Sequence, residues 1–229
     1  MEIRFNKWML VLISCLLTSP AMAGDKWNSS LTISVGKSKT TNSCESPPLL
    51  FYATSGDECQ EGGRIYRFAY NYKFSPFWGL ELSAGDIGSA KANGTISASS
   101  APSPVGAPYD WELKANGIAL SGVGSLWLGK SLSIFGKVGA VRAHLKEELI
   151  AHDVGGDLIL VSFNGVVPTN FKKNSLTYGV GLQVELSTAF AMRVQYENFG
   201  TYDIYSVYNL SKPEPISLTL ISAGLVLKF

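Results

Sequence analysis

Outside its N-terminus the chain has no apolar run that approaches the ~18–20 residues a membrane-spanning helix needs. It has no block of one charge either. Lys and Arg number 19 against 18 Asp and Glu, for a formal net charge of +1. The concentrated cationic footprint of a nucleic-acid-binding protein is therefore missing. Catalytic signatures are absent too: there is no Gly-x-Ser-x-Gly, no P-loop, no dinucleotide fingerprint and no Cys-x-x-Cys. Histidine is scarce at two residues and cysteine at three. What is plentiful is glycine, at 23 residues, and aromatic side chains, at 11% of the chain. Gly-rich, aromatic-rich, alternating sequence without helical stretches points to β structure. The length fits one domain, since no block of different composition follows the first.

Residues 1–23 read as a targeting segment. Arg4 and Lys7 form a positive start, residues 8–17 form an apolar stretch too short to span, and Ala21-Met22-Ala23 has the small-x-small form of a signal-peptidase site. Residues 24–229 are then the mature domain. Leu12-Ile13-Ser14-Cys15 loosely fits a lipoprotein site, but the signal before it would be very short and a better site follows. Cleavage before Gly24 removes Cys15 and leaves Cys44 and Cys59, which in an exported protein are most simply a disulfide.

Period-2 alternation divides the mature chain into eight segments: 27–39, 64–74, 78–87, 111–128, 132–145, 175–186, 189–199 and 216–229. The second is the clearest, with Tyr66, Phe68, Tyr70, Tyr72 and Phe74 alternating with Arg67, Ala69, Asn71 and Lys73. The fourth is Gly-rich and its register is open. Three connections are very short and four, at 40–63, 88–110, 150–174 and 200–215, are long and polar. A secreted sandwich would also show alternating strands, but it does not require long and short connections to take turns along the chain. That rhythm predicts an all-β, eight-stranded antiparallel up-and-down transmembrane β-barrel, with periplasmic turns at one end and surface loops at the other. Trp27, Phe77, Trp78, Trp111, Trp127 and Phe199 fall near segment ends, where aromatic girdles meet lipid headgroups. Eight strands leave a lumen just wide enough to be filled by side chains, here expected to be polar and small. The chain ends with Leu225, Leu227 and Phe229 on one face, Val226 and Lys228 on the other.

The stretches Trp78-Gly-Leu-Glu-Leu, Leu132-Ser-Ile-Phe-Gly-Lys-Val-Gly, Tyr178-Gly-Val-Gly-Leu-Gln-Val-Glu-Leu, Met192-Arg-Val-Gln-Tyr-Glu and Ser222-Ala-Gly-Leu-Val-Leu-Lys-Phe carry a likeness. With them the chain resembles the eight-stranded transmembrane domain of the outer membrane protein A family and its small barrel relatives. A single-domain member is expected, without the peptidoglycan-binding domain of two-domain members. The resemblance implies a charged network across the lumen, with Glu81 as the third-strand acid, Lys137 the fifth-strand base, Glu185 the sixth-strand acid and Arg193 the seventh-strand base. Lysine stands where arginine is usual on the fifth strand, so a bidentate pair is lost there. The tail ending in Phe229 resembles the signal read by the outer-membrane assembly machinery.

The functional expectation is a monomeric scaffold of the cell outer membrane with a structural or surface-interaction role through its four loops. Its expected partners are outer-membrane lipid and lipopolysaccharide, the assembly machinery, and an extracellular ligand or host surface at the loops; nucleic acid is not among them. A small-solute channel with a gated polar lumen is the alternative, and a lipid-modifying enzyme ranks behind it, because such an enzyme needs a nucleophile beside a base and no serine immediately flanks His144. No catalytic residue, cofactor or metal is expected. His144, Glu148 and His152 recur every four residues and would share one face of a helix, but the stretch 143–153 reads as the end of a strand.

Overall fold

The computed structural model describes residues 28–41, 54–96, 108–152, 158–159, 170–204 and 214–229. Among the described residues ten strands form one antiparallel sheet: β1 (Ser29–Thr41), β2 (Thr54–Gln60), β3 (Arg64–Lys73), β4 (Trp78–Ile96), β5 (Pro108–Trp127), β6 (Leu132–His152), β7 (Leu158–Ile159), β8 (Asn170–Glu185), β9 (Phe190–Ile204) and β10 (Glu214–Lys228). Eight of them close a ring in the order β1-β3-β4-β5-β6-β8-β9-β10, and β10 pairs back onto β1 from Ser30↔Lys228 to Thr41↔Ser217. Closure leaves no strand edge unpaired in hydrocarbon, where a free amide or carbonyl costs several kcal/mol. The remaining two strands are additions at the loop end: β2 pairs the outer part of β4, and β7 pairs the outer end of β6.

All eight alternating segments become ring strands, but the strands run further outward than the alternation suggested. β4 continues past Ile87 to Ile96, β5 starts at Pro108, β6 continues past Leu145 to His152, and β8 starts at Asn170. Beyond the lipid belt both faces of a strand can be polar. The period-2 contrast fades there while the hydrogen-bonded ladder continues, as between Lys91, Glu112 and Glu148. Long loops in the sequence are thus partly sheet.

Within the belt the faces fall as alternation requires. Ile33, Val35, Leu80, Leu82, Val138, Val180, Leu182, Val194 and Leu225 point outward and are exposed on the barrel wall; Glu81, Lys137, Gln183 and Arg193 are buried inside. β5 settles into an inward Ala119, Ser121 and Val123 with outward Ile118 and Leu120. Two bulges then shift the phase of the outer half. Ile87 is an extra residue in β4 opposite Asn116 and Ala115, so the inward positions change from Glu81 and Ser83 to Ala90 and Ala92. In β9 the shift lies at Phe199 and Gly200, with Gly200 at φ 86°, and brings Tyr202 inward.

The outer half of the lumen is therefore not polar. Ile65, Ile87, Leu113, Val141, Leu145, Phe199, Leu218 and Leu220 fill it as one buried apolar cluster that also takes in Trp111 and Tyr202. This corrects two expectations. Polar side chains dominate only the inner half, Ser38, Thr40 and several alanines being set among larger apolar side chains further out, and Trp111 and Phe199 belong to the interior instead of the outer girdle. Phe77 and Trp78 do stand exposed at the short-turn end, and Trp27 lies outside the described residues.

Candidate functional site

Below the apolar cluster, five charged side chains cross the lumen as an alternating chain. Arg193, from β9, donates through Nη1 to Glu81 Oε2 at 2.7 Å. Glu81, from β4, accepts from Lys137 Nζ at 2.7 Å through its other oxygen. Lys137, from β6, lies 2.8 Å from Glu197 Oε1. Glu197, from β9, accepts from Arg67 Nη1 at 2.9 Å. The order Arg–Glu–Lys–Glu–Arg places every carboxylate between two cations. Glu81 is only 1% exposed, and a carboxylate at such depth persists only with this kind of compensation.

Neutral groups finish the network. Gln183 Oε1 accepts from Arg193 Nε and Nη2 at 3.2 and 3.0 Å, Gln195 Nε2 donates to Glu197 Oε2 at 2.8 Å, and Arg67 Nη2 donates to Ser83 Oγ at 2.6 Å. Each guanidinium also stacks on a ring: Arg193 lies 4.5 Å from the centroid of Phe135 and Arg67 4.6 Å from that of Phe199. Stacking on one face while hydrogen bonding at the edge fits planar guanidinium and not ammonium. Lys137 and Glu197 meet because the residue between them on β8 is Gly179. A Cβ there would stand 3.0 Å from Glu197 Cγ and 3.3 Å from Lys137 Cε.

The structure thus brings together three of the four residues named from the sequence, Glu81, Lys137 and Arg193, and sets Glu185 apart. Glu185 was expected to meet Lys137 or Arg193. It is instead ion-paired with Lys228 of β10 and accepts from Gln183 Nε2 at 2.9 Å, nearer the short-turn end. Arg67 and Glu197 were on the polar face of their segments but were not singled out, because alternation assigns a face and not a height in the lumen. Near the outer cluster Tyr202 donates to the Phe199 carbonyl at 2.8 Å.

His144 lies on β6, outward and exposed. Because that stretch is strand and not helix, residues four apart are separated by about 13 Å, which keeps His144, Glu148 and His152 from sharing one ion. Cys59 is exposed on β2 and is disulfide-bonded; Cys44, its expected partner, lies outside the described residues, as do the targeting segment and the Ser/Pro-rich stretch 97–104. At the other end, Phe229 N donates to Ser29 O at 2.9 Å and Ser29 N to Phe229 O at 3.2 Å, so the last residue completes the seam.

The family model described as outer membrane protein beta-barrel domain matches residues 9–229. No curated protein matches the chain. Among solved structures, the chain is similar to the attachment invasion locus protein Ail of Yersinia pestis, with 18% identity, 89% of this chain and 99% of that one covered, and a TM-score of 0.47. It is also similar to Neisserial surface protein A, with 10% identity over 88% and 97% of the two chains and a TM-score of 0.48. OprG of Pseudomonas aeruginosa matches at 11% identity over 90% and 98%, with a TM-score of 0.49.

Proposed function

Because the chain belongs to the outer membrane protein β-barrel family and resides in the outer membrane, we propose that it is a closed, non-enzymatic scaffold that presents its outer sheet and four loops for surface interaction. The observation that carries this reading is the apolar cluster across the outer half of the lumen, with Leu218 and Leu220 no more than 1% exposed. Water and ions do not cross a packed core of that kind, and in the charge network below it each carboxylate is held between two cations of the protein itself. Between Asn71, Ser133, Gln183 and Arg193 the inner lumen keeps a void of ≈ 10 Å³, room for about one water. The same proposal includes cleavage after Ala23, a Cys44–Cys59 disulfide holding the first loop, and a monomer. An extracellular ligand or host surface would meet the loops, which are held at one end of a rigid wall as binding segments commonly are.

One observation favours a small-solute channel as the second reading. Thr32 Oγ1, Arg67 Nε, Asn71 Nδ2 and Ser222 Oγ are buried without a protein partner, all on the adjoining strands β10, β1 and β3, and buried groups of this sort are ordinarily satisfied by water. Single-channel recording of the refolded protein in planar bilayers separates the two. The scaffold predicts silence, and a Leu218→Ser/Leu220→Ser variant that begins to conduct. A steady conductance of the unaltered protein would refute the closed lumen.

A further inference from the structure

The charges inside the inner half of the lumen do not balance. The chain Arg193–Glu81–Lys137–Glu197–Arg67 holds three cations and two carboxylates. Glu185 and Lys228 neutralise each other. Lys73, two residues beyond the buried Asn71 on β3, turns inward with them, its Nζ 5.6 Å from the centroid of the Trp127 ring. Among the described residues it forms no ion pair, neither with a side chain nor with the terminal carboxylate of Phe229. Five cations thus stand against three carboxylates, an excess of two positive charges in a compartment closed toward the loops by the apolar cluster. An excess of one sign works against a compact interior through self-repulsion.

The void at the short-turn end lies beside this excess. Lys73 and Arg193 line it, with Asn71, Gly79, Ser133 and Gln183, and no carboxylate is among its lining residues. Asn71 is 5% exposed, and its Nδ2 has no hydrogen-bond partner among the described residues. A buried amide donor left without an acceptor costs free energy until something supplies one. Gln183 does not, because its Oε1 is taken by Arg193 and its Nε2 donates to Glu185. Arg193 gives Nε, Nη1 and Nη2 one bond each to Gln183 and Glu81, which leaves a second N–H on each terminal nitrogen. The void therefore presents positive charge and spare donors together, and Gly79 puts no side chain into it.

We propose that this void is a binding site for one monatomic anion, chloride drawn from the periplasm, with Lys73, Arg193 and Asn71 as its ligands. At ≈ 10 Å³ the void takes about one water-sized guest. A halide fits with a small give of the flexible Lys73 stem, whereas phosphate or sulfate is too large. A water would satisfy the Asn71 amide but would leave both excess charges in place. Chloride accepts from the amide and offsets one of the charges, and it is a monovalent ion that sheds its hydration more readily than a multivalent one. A cation is excluded, since it would meet two cations and no carboxylate. The ion sits below the apolar cluster and does not cross it, so the site is a fixture of the lumen and not a passage. It rests on the inner half of the barrel, and a failed search for a loop ligand leaves it standing.

Bromide reads the site directly, because it replaces chloride and scatters X-rays anomalously. Crystals of the purified protein soaked in sodium bromide should show one anomalous peak in the void, against Lys73 Nζ and Asn71 Nδ2. In solution, the folded protein in nonionic detergent should broaden the NMR signal of chloride, and added bromide should reverse the broadening. Lys73→Met should weaken chloride binding about tenfold or more, as loss of a neighbouring full charge requires, and Lys73→Arg should retain it. Heat-modified gel migration establishes that each variant is folded; should Lys73→Met not fold, Asn71→Ala should weaken binding several-fold. Anomalous peaks confined to the protein surface, or a void that holds only water in bromide, would overturn the site. So would equal chloride broadening by the folded Lys73→Met and unaltered proteins.

Discussion

Replacing Glu81 by alanine would leave Lys137 and Arg193 buried on either side of an empty position, each short of one counter-charge. Lys137 would still hold Glu197, whereas Arg193 would keep only the neutral Gln183. Removing one partner of a buried pair costs about 3–5 kcal/mol, so Glu81→Ala should lower the midpoint of denaturant unfolding sharply, followed by tryptophan fluorescence. Glu185→Ala removes a partner from Lys228 nearer the mouth, where water replaces it more easily, and should cost clearly less. Equal losses would contradict the placement of Glu81 at the centre of the network. At this scale the sequence was a good guide to orientation and a poor one to partners. Glu81 and Glu185 are both inward acids in alternating strands, but their height in the lumen decides which meets arginine and which meets Lys228. Height depends on how all eight strands are staggered, which a single strand does not carry.

Among elements, β8 shows how a strand is shaped by what crosses behind it. Gly179 contributes no side chain so that Lys137 and Glu197 can meet, and a Cβ there would also stand 2.7 Å from the Tyr196 carbonyl. Gly179→Ala should therefore cost about 1–3 kcal/mol in the same unfolding measurement, and a neutral result would show that the network has slack. β10 has the opposite dependence, on its last residue: Phe229 exchanges both backbone hydrogen bonds with Ser29. Deleting Phe229 should reduce assembled barrel in the outer membrane and raise unassembled periplasmic protein, with cleavage before Gly24 unchanged; normal assembly at native expression would count against that role. The bulges at Ile87 and Gly200 explain why the outer halves of β4 and β9 were not legible. An extra residue reverses the phase of everything beyond it, so Ala90 and Tyr202 turn inward against the phase set by Glu81 and Glu197.

For the molecule as a whole, the wall and the loop end differ in what holds them. The ring depends on ladder hydrogen bonds and an internal core, whereas β2, which carries Cys59, lies outside the ring and, among the described residues, pairs the outer part of β4. Reducing the protein should free β2 without opening the barrel, so that unheated protein keeps its fast migration on a detergent gel with and without reductant. Loss of that migration on reduction would place the cysteines in the stability of the wall. The ring itself joins its ends through Ser30↔Lys228, nearly the full length of the chain apart, whereas its other seven pairings join strands that follow one another around the barrel. Neighbour pairings can form as hairpins early, but the seam must wait for the greatest loop closure the chain contains. Until that moment the sheet carries two open edges. The time a chain spends in this state is set by one slow encounter between its first and last strands, and aggregation competes with membrane assembly for that same interval.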